Sequence, residues 1–112
     1  MIIPEEGALY WANLDPIQGR EQGGQRPVLV LQNNILNQAL DTVVIVPLTA
    51  SMKPKGFMST HFLSKNASSL PYDGIALLFQ IRSIDRSRLI KPAGKISFRD
   101  LMSVRQQLMF VF

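Results

Sequence analysis

The chain has 112 residues, of which 46% are hydrophobic, and it carries a formal net charge of +4 with no cysteine. This length supports one domain with a small core, and the lack of cysteine excludes disulfides, a thiol nucleophile and cysteine-ligated zinc. A histidine-rich metal site is equally disfavoured because His61 is the only histidine. The N-terminus lacks a signal-peptide pattern, and no apolar run approaches the roughly 20 residues of a membrane helix, so we expect a cytoplasmic protein.

The charge is distributed unevenly along the chain. Residues 1–50 carry two arginines against five carboxylates, a net −3, whereas residues 51–112 carry ten Lys/Arg against three aspartates, a net +7. A basic half attracts polyanions through long-range steering and counterion release. A solvated basic surface explains the same charge equally well, so charge alone suggests a nucleic-acid partner without establishing one.

In chain order, the first predicted strand covers residues 8–14 and is followed by a polar, glycine-rich stretch over residues 17–25. Residues 28–31 form a short apolar run that is typical of a buried strand. Pro27 can open such a strand but is not expected in its middle. Residues 42–46 are β-branched and predict a further strand, which Pro47 is expected to close.

The second half begins with a predicted loop over residues 52–59 and a short strand over 60–64. Residues 70–74 have turn chemistry. Residues 75–80 predict a buried strand that 81–84 continue, and the charged residues 85–91 predict irregular structure. Only the C-terminal end has a helical pattern: Ser97 and Asp100 resemble an N-cap with an acidic third position, and apolar residues recur at helical spacing afterwards.

These elements predict a single, mainly β domain over residues 1–112. Several short strands with turn signals and one terminal helix indicate a strongly curved sheet or a small barrel with a C-terminal α-helix.

The glycine-rich segment, residues 19–24, invites comparison with a nucleotide-binding loop. A phosphate loop follows a strand and opens a helix, whereas a proline and a strand follow here, so a flexible surface loop explains the glycines without a ligand. The segment is nevertheless rich in groups that contact nucleic-acid backbones, namely Arg20, Glu21, Gln22 and Arg26.

The catalytic side chains are sparse. No serine–histidine–acid set or carboxylate pair can be identified, which disfavours a peptidase or a glycosidase. A ribonuclease needs fewer protein groups because RNA supplies its own nucleophile, the 2′-hydroxyl; it needs a proton acceptor, a proton donor and a cation that stabilises the phosphorane. Arg26, Glu21, Thr49 and Ser51 have the right chemistry for these tasks if the fold brings them together.

Residues 10–16 (YWANLDP) and 19–30 (GREQGGQRPVLV) resemble the opening signature of the MazF/PemK toxins of type II toxin–antitoxin systems. The resemblance continues through residues 32–33, 46–51 (VPLTAS), 60–61, 80–85 (QIRSID) and 88–89, and it covers nearly the whole chain. It implies an SH3-like barrel or strongly curved antiparallel sheet with a C-terminal helix, assembled as a homodimer.

The resemblance also implies an activity. The chain is expected to be a sequence-specific endoribonuclease (an mRNA interferase) that cleaves single-stranded RNA without a metal or other cofactor, leaving 2′,3′-cyclic phosphate and 5′-hydroxyl ends. A cognate antitoxin protein is expected to restrain it by laying an acidic tail across the RNA groove.

The resemblance assigns roles to individual positions. Arg26 matches the family's catalytic arginine and Thr49 its catalytic threonine, with Glu21 as a third catalytic candidate. The RNA-binding candidates are Arg20, Gln22, Asn33, Ser51, Lys53, Lys55, Gln80 and Arg82. For Arg26 we expect electrostatic stabilisation of the transition state, because a guanidinium stays protonated and is a poor acid or base.

One departure from the family keeps other functions open. A carboxylate commonly precedes the Gln-Ile-Arg motif, where this chain has Phe79. The alternatives are a non-catalytic or weakly active RNA-binding member, and a toxin of the same architecture that poisons DNA gyrase. Each candidate also has a structural interpretation: Glu21 only orients Arg26, Thr49 only ends a strand, and His61 supports the fold.

Overall fold

The structure is a computed structural model of the chain and describes residues 2–16, 19–20 and 23–112. The strands of this part are β1 (Ala8–Asn13), β2 (Gln25–Val30), β3 (Thr42–Thr49), β4 (Thr60–Leu63), β5 (Gly74–Leu77), β6 (Arg82–Asp85) and β7 (Leu89–Lys95). The helices are α1 (Asn34–Ala39), α2 (Lys65–Ser68) and α3 (Phe98–Val111), with short 3-10 turns at Leu78–Gln80 and Arg86–Arg88. No helix among the described residues is long and apolar enough to cross a membrane.

The strands form a seven-stranded sheet in the order β4-β5-β3-β2-β1-β7, with β6 also paired to β3. Every strand pair is antiparallel. The sheet is not closed, because β4 and β7 each have a single partner strand. The predicted mainly β fold with a C-terminal helix is therefore confirmed in its open, curved-sheet form.

The sheet is buried on both faces, since successive side chains of a strand point to opposite sides. A helix-side cluster packs against α3 and contains Leu9, Leu29, Val46, Leu48, Leu63, Leu70, Ala76, Leu78, Ile96, Leu101 and Val104. A strand-side cluster on the other face contains Ala8, Tyr10, Ala12, Leu14, Val28, Val30, Val43, Ile45, Ile84 and Leu89. None of the described helices contributes to the strand-side cluster, so the sheet itself curves around it.

Strand β3 is the longest strand, and the prediction that Pro47 closes it is wrong. It pairs with β2 through Pro47 on one side. On its other side it pairs with β6 up to Ile45 and with β5 from Leu48. Pro47 falls between these two pairings, where the missing N–H interrupts no ladder on that side.

The strand predicted over residues 75–84 is interrupted for the same reason. The 3-10 turn Leu78–Gln80 separates β5 from β6, and the two strands pair with different parts of β3. A continuous apolar run does not distinguish one long strand from two short strands joined by a buried turn.

Two further expectations near prolines are corrected. Pro27 does not open β2 but is its third residue; it faces Trp11 of β1, and pairing with β3 starts only at Val28. The residues predicted to be irregular, 85–91, include the start of β7, which runs along the sheet edge. An edge strand tolerates Pro92, and the β1–β7 register shifts beside this residue.

The expectation of a single helix is also corrected, because α1 and α2 are short helices that sequence periodicity does not reveal. Each begins at a side-chain cap: Asn33 accepts from the Leu36 N–H at 2.9 Å, and Ser64 accepts from the Ala67 N–H at 3.2 Å. Their few apolar positions leave no helical stripe to detect.

Helix α3 begins as predicted. The Ser97 hydroxyl accepts from the Asp100 N–H at 3.1 Å. Polar contacts fasten the helix to β4: Gln107 Nε2 donates to the Thr60 carbonyl at 2.7 Å, and Gln107 Oε1 lies 2.6 Å from His61 Nδ1. His61 Nε2 also lies 3.3 Å from the Asp100 carboxylate. The structural interpretation of His61 agrees with this position.

Candidate functional site

Two side chains from neighbouring strands meet at one end of the sheet. Arg26 is the second residue of β2, and Thr49 is the last residue of β3. The register pairs Val28 with Pro47, so continuing it by two residues places Arg26 opposite Thr49. The alternation of side chains puts both on the face of the strand-side cluster.

The guanidinium of Arg26 is oriented by the main chain. Its Nε donates to the Gly23 carbonyl at 2.7 Å, and its Nη1 donates to the Leu48 carbonyl at 3.4 Å. Within the described ranges, no carboxylate lies within ion-pair distance of this half-buried group. An arginine has five N–H donors, so Arg26 keeps donors with which to bind an anion beyond the two bonds to these carbonyls.

The hydroxyls at the end of β3 are organised by local turns. Thr49 Oγ1 accepts from the Ser51 N–H at 3.2 Å, and Ser51 Oγ accepts from the Lys53 N–H at 3.4 Å. In both bonds the hydroxyl oxygen is the acceptor, which leaves the hydroxyl hydrogen available to donate to a ligand. The predicted pair of Thr49 and Ser51 therefore lies at the end of β3 that faces Arg26 in the continued β2–β3 register.

Further arginines gather around the base of the β1–β2 loop. Arg82 Nη2 donates to the Leu14 carbonyl at 3.4 Å, and the Leu14 N–H donates to the Gly24 carbonyl at 2.9 Å. Arg88 Nη1 reaches the Asn13 carbonyl at 3.1 Å. The base of the loop thus links Arg82 and Arg88 to the segment that holds Arg26, and it concentrates positive charge at this end of the sheet.

A pocket of about 410 Å³ opens next to these groups, lined by Arg20, Phe79, Gln80, Ile81 and Arg82. Three of the predicted RNA-binding residues, Arg20, Gln80 and Arg82, are therefore brought together. Phe79, the departure noted from the sequence, is 50% exposed. An exposed aromatic ring among cations is a suitable surface for a nucleobase.

The remaining predicted residues are distributed differently. Lys53 and Lys55 are exposed in the loop after β3, and the Lys55 ammonium lies 4.3 Å from the centre of the Phe62 ring. Asn33 lies beyond the opposite end of β2 from Arg26, where it caps α1, and is not brought to the site. Glu21 and Gln22 lie outside the described residues.

Sequence reasoning missed Tyr72, which lies in the turn before β5. Burial raises the pKa of the Tyr72 hydroxyl, and the positive charge of Arg26 acts in the opposite direction. The hydroxyl is therefore close enough to the guanidinium to sense its charge. The Leu-Pro-Tyr-Asp-Gly segment predicts only a turn, since nothing in it indicates the neighbours of Tyr72 in space.

The part of the chain that the structure describes contains no group of three or more His, Asp or Glu side chains suited to a metal ion. The arrangement that it does contain is a cation, hydroxyls and an aromatic-lined pocket. These groups suit recognition of a phosphate and an adjoining base.

Known proteins resemble this chain over nearly its full length. Residues 5–112 match the family described as "PemK-like, MazF-like toxin of type II toxin-antitoxin system". Endoribonuclease EndoA of Bacillus subtilis is 40% identical over 89 residues, which cover 79% of this chain and 76% of that protein.

Solved structures agree with this match. MazF from Deinococcus radiodurans has 31% sequence identity and a TM-score of 0.84, over 99% of this chain and 97% of that one. A MazE–MazF structure from the same organism has 30% identity and a TM-score of 0.78, over 99% and 96% of the two chains.

Proposed function

Because this chain belongs to the PemK-like, MazF-like toxin family of type II toxin–antitoxin systems, we propose that it is an endoribonuclease that cuts single-stranded RNA without a metal ion. The observation that carries the proposal is the placement of Arg26. It is held by the carbonyls of Gly23 and Leu48, lacks a carboxylate partner among the described residues, and lies opposite Thr49 when the β2–β3 register is continued by two residues. The endoribonuclease EndoA, 40% identical to this chain, supports the same activity.

The proposed reaction is an in-line transesterification. The 2′-hydroxyl loses its proton and its oxygen attacks the adjacent phosphorus, the P–O5′ bond breaks, and O5′ takes a proton. The products are a 2′,3′-cyclic phosphate and a 5′-hydroxyl. Atoms and charge balance without an external nucleophile or metal.

In this reaction Arg26 donates to the non-bridging oxygens of the phosphate and stabilises the charge that develops on the phosphorane. Thr49 donates its hydroxyl hydrogen to the same phosphate. We retain Glu21 as the candidate proton acceptor, because it is the only carboxylate in residues 17–26.

The nucleotides flanking the cut occupy the arginine-rich end of the sheet. We place one base in the pocket with Phe79 and Gln80, and the adjoining phosphates along Arg20 and Arg82. Lys53 and Lys55 extend the same cationic surface from the loop after β3. Ser51 contributes its hydroxyl at the Thr49 end, with Gln22 as a further groove residue.

We further propose that the chain acts in the cytoplasm as a homodimer and is inhibited by a cognate antitoxin. The MazE–MazF structure of a 30%-identical relative supports a protein partner. Highly exposed apolar side chains at the end of α3 support self-association: Met109, Phe110 and Phe112. Sedimentation analysis of the purified chain tests the dimer directly.

The activity is tested by incubating the wild type, Arg26→Ala and Arg99→Ala with a long unstructured RNA and its DNA counterpart in excess EDTA. We expect RNA-only cuts at a recurring short sequence, cyclic phosphate ends, and a loss of about 10²–10³ in rate for Arg26→Ala. Arg99 is exposed on the first turn of α3, so Arg99→Ala serves as the matched control and keeps full activity.

The alternative functions make different predictions in the same experiment. Salt-sensitive RNA binding without cleavage by the folded wild type overturns the nuclease proposal in favour of a binding role. In that case Phe79→Glu restores the carboxylate that the family commonly carries and tests whether its loss abolished cleavage. Trapping of gyrase on DNA with RNA left intact overturns both the nuclease proposal and the RNA-binding alternative.

A further inference from the structure

The turn before β5 brings one more side chain to the end of β3. Strand β5 pairs Ile75 with Thr49. A Cβ atom at Gly74 would lie 3.7 Å from the Thr49 carbonyl oxygen. The residues just before Gly74 therefore lie against the same strand end that carries the catalytic candidates, on the side away from β2.

Tyr72 is held at this place by anchors on both sides. Leu70 is buried in the helix-side cluster, and its N–H donates to Ser68 Oγ at 3.1 Å. On the other side, the Asp73 carboxylate accepts from the Lys65 N–H at 2.8 Å. The segment between two such anchors has little conformational freedom, so Tyr72 is pre-organised before any ligand binds.

The environment of the Tyr72 hydroxyl favours contact with an anion. The ring is half-buried, and no hydrogen bond joins the hydroxyl to another described residue. Among the residues that the structure describes, Arg26 is the charged group that acts on it. Burial is the larger influence and raises the pKa of the phenol, so the hydroxyl stays protonated at neutral pH and can donate a hydrogen bond.

We propose that Tyr72 is a further substrate-contacting residue, whose hydroxyl donates a hydrogen bond to the RNA phosphate that Arg26 binds. The inference rests on the proposed function for the identity of the ligand. In this arrangement β2 supplies the guanidinium, β3 the Thr49 hydroxyl and the turn before β5 the phenol. Groups from three neighbouring positions in the sheet therefore surround one phosphate. Tyr72 transfers no proton; it positions the phosphate and shares its charge.

The inference is tested with Tyr72→Phe, which removes only the hydroxyl, and Tyr72→Ala, which removes the ring as well. Tyr10→Phe is the matched control, because Tyr10 is the other tyrosine and its hydroxyl serves the fold by accepting from the Glu5 N–H at 3.0 Å. Binding is measured with a 2′-deoxy oligonucleotide that cannot be cleaved, and single-turnover cleavage with the matching RNA. Thermal unfolding is recorded for every variant.

We expect Tyr72→Phe to weaken binding of the non-cleavable strand and to slow cleavage by about 10- to 100-fold, the usual cost of losing a hydrogen bond to a charged group. Its unfolding temperature stays within about 2 °C of the wild type. Tyr10→Phe shows the opposite pattern, with a lower unfolding temperature and unchanged activity per folded molecule. The ratio of wild-type to Tyr72→Phe rates stays constant between about pH 6 and 9, because the phenol remains protonated there.

Two results overturn the inference. One is full binding and cleavage by Tyr72→Phe with loss only in Tyr72→Ala, which assigns the effect to the ring. The other is a failure of the wild type to bind the 2′-deoxy strand. If the wild type binds this strand but never cleaves RNA, the proposed function fails, while the binding of Tyr72→Phe still decides the role of the hydroxyl.

Discussion

Arg26, Thr49 and Tyr72 come from three chain segments, and each is positioned by a different local device. Main-chain carbonyls orient Arg26, the Ser51 N–H orients the Thr49 hydroxyl, and buried or capped neighbours fix Tyr72. At the residue scale, Arg26 and Thr49 are therefore oriented by backbone groups, whereas Tyr72 is positioned by its neighbours in the chain. Backbone partners leave the charge of Arg26 available for a ligand.

Asp85 provides a residue-scale prediction outside the site. Hydrogen bonds from Ser87 lower the pKa of the Asp85 carboxyl. The Ser87 N–H donates to this carboxylate at 2.8 Å. A lowered pKa in the folded state means that the ionised form stabilises the fold above about pH 4, and that this contribution is lost as the pH falls through the folded-state pKa. We expect Asp85→Asn to be less stable than the wild type at pH 7.

The same difference in unfolding free energy is expected to shrink when the pH is lowered from 7 to about 2, because protonation of the Asp85 carboxyl removes the charge that distinguishes it from the amide. Urea unfolding at the two pH values measures it. A difference of equal size at both values contradicts the assignment, because it shows that shape and not charge is responsible.

At the scale of elements, the sequence predicts what rests on local pattern. β1 and α3 follow from a β-rich run and from an N-cap with a helical stripe, and both form where expected. Strand β7 is missed because its lysines, proline and glycine are not typical of a strand. An edge strand tolerates them, since its outer side has no partner strand. The division between β5 and β6 is missed because only the pairing with β3 creates it.

The candidate site shows the same limit. Arg26 and Thr49 are recognisable one at a time, but their proximity depends on an antiparallel pairing across the connection that contains α1. Tyr72 has no sequence signal, because its place at the end of β3 follows from the β3–β5 pairing. Asn33, a candidate by resemblance, caps α1 at the other end of β2, and its contact with RNA stays a prediction.

The attachment of α3 to β4 gives an element-scale prediction. Gln107 bonds the Thr60 carbonyl and His61, whereas the neighbouring Gln106 is exposed. We expect Gln107→Ala to lower the unfolding free energy by about 1–3 kcal/mol, because it leaves a part-buried carbonyl and a ring nitrogen without their partner. Gln106→Ala, the matched control, is expected to change it by less than about 0.5 kcal/mol.

Chemical denaturation of the two variants measures these energies, and hydrogen exchange of the α3 amides locates the effect. Equal stability of the two variants contradicts a fastening role for Gln107.

At the scale of the whole molecule, the fold brings together charges that lie far apart in the sequence. Along the chain the first half is acidic and the second half basic, yet Arg20 and Arg26 from the first half converge with Arg82 and Arg88 from the second. Lys95, by contrast, lies at the other end of β1 and pairs with Glu5 at 2.9 Å. Positive charge is therefore concentrated at one end of the sheet, where the proposed function places the RNA.

This arrangement predicts a selective salt dependence. The slope of log affinity against log salt for single-stranded nucleic acid is expected to become shallower by about 0.7 in Arg82→Ala, the value for one lost phosphate contact. Lys95→Ala is expected to keep the wild-type slope. Titrations of the 2′-deoxy strand across a salt series measure both, and equal slopes in all three proteins contradict a localised binding surface.

The two carbonyls that hold Arg26 have a consequence for genetics. They belong to Gly23 and Leu48. In each bond the Arg26 side chain donates and a main-chain oxygen accepts. Gly23 has no side chain to truncate, and truncation of the buried Leu48 side chain perturbs the helix-side cluster but keeps the carbonyl, so a side-chain survey tests neither hydrogen bond directly. The orientation of Arg26 therefore depends on the course of the backbone at Gly23 and Leu48. Only a change in that course removes the two acceptors.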